Sequence, residues 1–408
     1  MKYRPSLAFI LCLIPMLAAG AAGAWAWKKA NSVPMHIRAH ATFLQVLRYK
    51  EEPPPVPRTP EQIEQARQAS IDLMEKLVVE FPAMRITEHP VPDDQNGFLL
   101  LHKQDRECEA FGLPVSKEFR QLLDDRIPWN PEIARRGLAG HADLVARIEH
   151  IASLPTRSSS NMPAHYGGYF GGRATHDSAN ILLLKARLAA EAKDEAETLR
   201  LVAAAQNLAS HFREIETPTL RTYEINRRVD HGIREATFKH LLPALGRDAD
   251  LSRWKSMLAL RSYTSAELAK AVRGEWSTTA EFFLFPVIFN SDCSIHPPDG
   301  EALAHAYTSR YNALVTRLPT ITLAEFLDHG AEFPGESDLH LSEKSREIMV
   351  GFLFGDGKSG GNWKWAREQV KGFVWAASIS AQYQAAFDLL ILEKSGRKLV
   401  PELMAEVT

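Results

Sequence analysis

Residues 177–212 read DSANILLLKARLAAEAKDEAETLRLVAAAQNLASHF, and their pattern decides the fold. Ile181, Leu184 and Leu188 recur at helical spacing. Lys193-Asp194 marks a tight turn. Leu199, Val202, Ala205, Leu208 and Phe212 then form a second stripe. Two apolar stripes of helical period, joined by a short polar turn, bury one another as an antiparallel hairpin.

The same logic extends toward the C-terminus. Thr217-Pro218 predicts the cap of a third helix carrying Ile225, Val229 and Ile233 on one face. Asp250 predicts the cap of a fourth through Trp254, Leu258 and Tyr263. Starts near Ala179, Pro218 and Leu251 are spaced at about the length of a tetratricopeptide unit. The tryptophan, glycine and proline marks of that repeat do not recur. Further helices are expected over residues 265–285, 301–318, 323–330 and 343–354. A last one is expected from Trp363, capped by Asn362, to about Lys394.

Toward the N-terminus, Thr59-Pro60-Glu61-Gln62 has a capping threonine, proline at the first helical position and glutamine three residues on. It predicts a helix to about Phe81. Phe98 to Leu101 fits either a short strand or a helix start. Trp129-Asn130-Pro131-Glu132 opens helical sequence to about Leu154, and residues 155–173 read as a loop rich in serine and glycine. The expected fold is all-α: stacked antiparallel helical hairpins, tetratricopeptide-like in part, behind an N-terminal membrane helix.

That membrane segment is read from residues 1–29. Lys2 and Arg4 precede an uncharged run from Pro5 to Trp27, long enough to cross a hydrocarbon layer. Trp25 and Trp27 beside Lys28 and Lys29 match the aromatic and basic belt of a membrane interface, which favours an uncleaved anchor. The flanking positive charges nearly balance, and amino end inside is the default for a chain whose remainder reads as one soluble body. The basic start and the small residues Ala22, Gly23 and Ala24 also fit a cleaved secretory signal. Residues 30–60 then supply a short amphipathic helix, Met35 to Lys50, and the stiff spacer Pro53-Pro54-Pro55-Val56-Pro57. Residues 61–408 form the expected extracytoplasmic body, on the periplasmic side of an inner membrane or secreted if the leader is cut.

The whole chain carries a formal charge of −2, while residues 1–29 hold four basic residues and no acid, so the body is acidic. That argues against a nucleic-acid binder. Cys12 lies in the uncharged run. An oxidising compartment permits a bridge between Cys108 and Cys293, and two buried free thiols fit as well.

The chain resembles bacterial envelope proteins of unassigned activity that join an N-terminal anchor to a helical body. The resemblance rests on the hairpin Leu182-Leu183-Leu184-Lys185-Ala186-Arg187-Leu188-Ala189-Ala190-Glu191-Ala192-Lys193-Asp194. It also rests on the step Arg273-Gly274-Glu275 and the tail Leu392-Glu393-Lys394-Ser395-Gly396 with Pro401-Glu402-Leu403. It covers about half the chain and carries no functional residues.

Motifs with chemistry are few. Gly355-Asp356-Gly357-Lys358-Ser359 lacks the glycine a phosphate loop needs at Phe352, so no nucleotide is expected. Gly357-Lys358-Ser359-Gly360-Gly361 matches a nucleophile elbow, but no histidine follows Ser359 to serve as base. His36 and His40 share a helical face without the intervening glutamate of a zinc protease. Cys293, His296 and Asp299 lack a fourth ligand. No metal and no cofactor is therefore expected. The segment His165-Tyr166-Gly167-Gly168-Tyr169-Phe170-Gly171-Gly172 is the most unusual. Its His165, Tyr166, Tyr169 and Phe170 are the candidate ligand-binding residues.

Two functions fit. The first is a membrane-tethered scaffold that binds another envelope protein, since stacked helical pairs offer extended surfaces. The second is a carbohydrate-active enzyme with a helical double ring, needing two facing carboxylates from among Glu275, Glu281, Asp292 and Asp299. The sequence leans toward the scaffold and names no catalytic residue.

Overall fold

The computed structural model describes residues 59–108, 112–160, 172–259, 263–289, 299–329, 342, 345 and 361–394. The anchor with Trp25, Trp27, Lys28 and Lys29 lies outside them. So do the proline spacer, His36 and His40, His165 to Phe170, Cys293 and His296, all but Ser345 of the helix expected at 343–354, and the glycine loop at 355–360. Among the described residues the protein is all-α. Its one strand-like contact is an isolated parallel bridge between Asn96 and Thr156. No described helix is long and apolar enough to cross a membrane.

Helix α1 spans Pro60–Glu80, and the Thr59–Gln62 capping box is present in both directions. Helix α2 spans Gly97–Cys108. Phe98 to Leu101 is helical because the buried Asn96 side chain accepts the Leu99 N–H and also exchanges hydrogen bonds with Ser158. Helix α3 is Lys117–Leu123. The helical sequence expected to about Leu154 forms two helices, α4 Pro131–Gly140 and α5 Ala142–Ser153. The break falls at Gly140-His141, where the His141 ring accepts the Ser116 N–H at 3.1 Å.

Helices α6 Arg173–Glu191 and α7 Glu195–Arg213 form the hairpin read from sequence. Lys193 turns the chain at a φ of 62°, and the Asp194 carboxylate caps α7 through Glu197 N. Helix α8 spans Leu220–Ala236. Its cap is Thr219, with Thr222 reciprocating, and not the expected Thr217. The Thr217 hydroxyl instead bonds Ser159 Oγ at 2.6 Å. A π turn at Thr237–Leu241 leads into α9, Leu242–Leu245. Helix α10 is Leu251–Met257, capped by Asp250 as expected, and it ends six residues before Tyr263.

Helix α11 spans Ser265–Thr279, a second π turn covers Ala280–Leu284, and α12 is Phe285–Phe289. Both π turns run into a proline, Pro243 and Pro286. A helical proline has no N–H to give the carbonyl four residues back, and one extra residue in the turn changes the pairing there. Helices α13 Gly300–Arg317, α14 Leu323–His329 and α15 Gly361–Lys394 complete the described chain.

Two apolar cores result. The first joins α2 to α10, with Ile148, Ile181, Leu182, Val202, Leu208, Phe212 and Trp254 almost fully removed from water. The second joins α1 to α11–α14 around Trp276, Leu284, Leu303 and Tyr307. Each large apolar side chain so buried contributes about 1.5–3 kcal/mol. Two helices belong to both. Helix α8 places Leu220 and Tyr223 in the second core and Ile225, Val229 and Ile233 in the first. Helix α15 places Val370 and Phe373 in the second and Phe387 in the first.

Candidate functional site: an open trough along α6 and α8

Helices α6 and α8 lie side by side and run in the same direction, since α7 returns the chain between them. At their starts the Gly172 backbone abuts Ile225: a Cβ at 172 would come within 2.6 Å of its side chain. The connection after α3 forms the opposite bank. Arg126 N donates to Gln121 O at 2.8 Å and Asp125 N to Leu122 O, with Asp125 at a φ of 52°. This is the left-handed closure of a helix C-terminus, taken here by an aspartate.

The connection then follows α6. Asn180 Nδ2 donates to Leu123 O at 3.4 Å, and Arg173 stands 3.7 Å from the Asp124 carboxylate. Farther on, Trp129 Nε1 donates to Glu191 at 2.5 Å with the Arg187 guanidinium 4.1 Å over its ring. Between these banks lies a trough of about 1240 Å³, floored by Leu183, Leu184, Ile225 and Val229. From Arg173 to Arg187 it runs roughly 21 Å at helical rise.

Charge in the trough is unevenly exposed. Asp177 is sealed, accepting Arg120 Nη1 at 2.5 Å and Leu113 N at 3.1 Å, and Asp124 is also largely covered. Arg126, Arg173, Arg228 and Lys239 keep 45–69% of their side-chain surface in water. The carboxylates facing them in the open are Asp125 and Glu235. His176 and His240 also line the trough, and burial holds both imidazoles below their usual range. Among the described residues no three metal-ligating side chains converge.

Gly232 sits in the wall at the middle of α8, and a Cβ there would meet nothing within 4 Å. A mid-helix glycine weakens a helix by roughly 0.5–1 kcal/mol relative to alanine. Two other helical glycines return that cost through close packing. A Cβ on Gly274 would lie 2.1 Å from Pro218 O, and one on Gly97 2.2 Å from the buried His211 ring. Gly232 has no such packing and leaves the wall smooth.

Among the described residues, the carboxylates considered for a glycosidase each have separate partners. Glu275 accepts the backbone N–H of Leu220 at 2.8 Å and caps α8; burial pushes its carboxyl up to about 7. Glu281 is exposed beside Ser277. Asp299 accepts the N–H and hydroxyl of Ser342 and the hydroxyl of Ser345. Asp292 lies outside the described residues. None of the three described carboxylates lines the trough. Cys108 is a half-buried free thiol.

Sequence reading missed the trough because its walls come from three separate segments. Two signals point to it in retrospect. Arg173, His176, Asn180 and Arg187 recur along one polar face of α6, and Gly232 interrupts a helical pattern. Comparison of the chain with protein families, with curated proteins and with solved structures finds no match.

Proposed function

We propose that this chain is a membrane-tethered extracytoplasmic scaffold whose trough receives a segment of another envelope protein. The observation that carries the reading is the trough itself. At about 1240 Å³ it exceeds the roughly 300–1,000 Å³ of small-molecule pockets, and it is partly open to solvent. A polymer fits such a shape better than a metabolite. The tether is the uncharged run ending at Trp25, Trp27, Lys28 and Lys29, and the proline spacer holds the body off the bilayer. The succession α6–α7–α8 is taken as tetratricopeptide-like, with a binding surface on the open side of the stack.

Fractionation joined to an activity assay tests this reading. The full chain is expected in carbonate-washed membranes, accessible to protease added to the outer face. The purified chain is expected to leave cell-wall and other polysaccharides intact. Recovery of the intact chain in the cytosol, or steady turnover of a polysaccharide, would overturn it.

A further inference from the structure

We infer that the trough takes an extended acidic peptide, in which carboxylate side chains alternate with apolar ones. This rests on the trough being the binding surface.

Size selects the backbone conformation. An α-helix with its side chains is at least 10 Å across, so one lying along 21 Å would fill about 1,600 Å³ or more. The trough encloses about 1240 Å³, so a helix would stand partly outside it. An extended strand rises about 3.3 Å per residue, so six or seven residues span the same length with a slimmer section. Gly232 allows the strand backbone to lie against α8 without meeting a side chain.

Charge selects the side chains. The open rim presents Arg126 and Arg173 at one end, Arg228 on α8 and Lys239 in the π turn after it. Arg228 shares its buried partner Glu224 with Arg221, and Arg173 meets Asp124 only at 3.7 Å. Lys239 bonds Glu235 and Arg126 stands 3.3 Å from Asp124, so each rim cation has a protein carboxylate beside it. All four still keep 45–69% of their side-chain surface in water, where a ligand's carboxylate can reach them. The floor below them is aliphatic. Side chains of a strand alternate between two faces, so apolar residues reach the floor while acidic ones reach the rim. A nucleic acid would need open aromatic rings for stacking, and Trp129 already carries Arg187 on its ring.

The test is fluorescence anisotropy with the full-length chain in nanodiscs. Three labelled eight-residue peptides are compared, alternating leucine with glutamate, lysine or glutamine, together with an oligonucleotide. The glutamate peptide is expected to bind at least tenfold tighter than the others. Its binding should weaken severalfold as salt rises from about 50 to about 300 mM. Arg228→Glu combined with Lys239→Glu should cost at least tenfold; Lys239→Gln, at an exposed position, should give a smaller loss with an unchanged melting curve. Preference for the lysine or glutamine peptide, with binding blocked by Gly232→Trp, would overturn the acidic class and leave the trough as the binding surface. Tighter oligonucleotide binding would overturn the peptide class. Failure of every probe to bind, or binding that ignores Gly232→Trp, would overturn both inferences.

Discussion

The carboxylate of Glu275 on α11 accepts the backbone N–H of Leu220, 2.8 Å away at the first turn of α8. One side chain thereby caps one of the two helices that both cores share. Burial raises its carboxyl to about 7, against an ordinary value of 4.5. Between those values the native state keeps a proton that the unfolded chain has lost. This contribution to stability is complete below about pH 4.5 and disappears as pH rises through 7. Glu275→Gln removes the titration. Wild-type stability relative to that variant should fall by up to about 3 kcal/mol from pH 4.5 to pH 8 in urea unfolding. Parallel profiles would contradict this role.

His211 titrates with the opposite sense. It is fully buried, and its Nε2–H donates to Ile151 O at 3.0 Å. Burial pulls its imidazole down to about 4 from an ordinary 6.5, and the buried His102 falls to about 3. Each contributes stability that is present above pH 6.5 and lost as pH drops through the folded value. His211→Gln should cost about 1–3 kcal/mol at pH 7 through lost packing on Gly97. It should lose less than wild type does between pH 7 and pH 5. Equal acid losses would rule the histidine out as a source of acid sensitivity.

Two helical glycines should respond oppositely to alanine. Gly274→Ala drives a methyl into Pro218 O, an atom of the backbone that cannot swing aside. It should destabilise the protein by about 2–3 kcal/mol. Gly232→Ala fills open space and should stabilise by about 0.5–1 kcal/mol. Melting temperatures that move in the same direction would refute the packing described for one of them.

Arg213 and Glu267 link α7 to α11 through two parallel bonds of 2.8 and 3.0 Å, with the guanidinium 4.3 Å over Tyr263. Tyr263 in turn donates to Asn226 at 2.6 Å and stacks on Phe373. Arg213→Ala should cost about 2–3 kcal/mol, because it strands Glu267 in a partly buried place. Arg213→Lys should recover under half of that, since an ammonium makes neither the fork nor the flat stack. A double-mutant cycle with Glu267→Gln should show coupling of about 1–3 kcal/mol. Full rescue by lysine would mean that charge alone matters.

Local features were legible in sequence where one or two residues decide them. The Thr59–Gln62 box, the Lys193-Asp194 turn and the Asp250 cap were read from residue type and spacing, and all three are present. The third helix start was misplaced by two residues because Thr217 and Thr219 both suit a cap. Ser159, distant in sequence, engages Thr217. The π turns were missed, although Pro243 and Pro286 mark them, because an apolar period alone does not reveal an added residue. The trough was illegible for a different reason. Asp125, Arg173 and Arg228 meet only after packing, and no local rule links segments so far apart in the chain.

The most direct measurement of the central claim uses a photoreactive residue at position 239, on the trough rim, in the full chain within its own membranes. The account predicts a discrete crosslinked protein adduct that is lost when Gly232→Trp fills the trough, while the melting curve stays intact. An adduct yield unchanged by Gly232→Trp would contradict it.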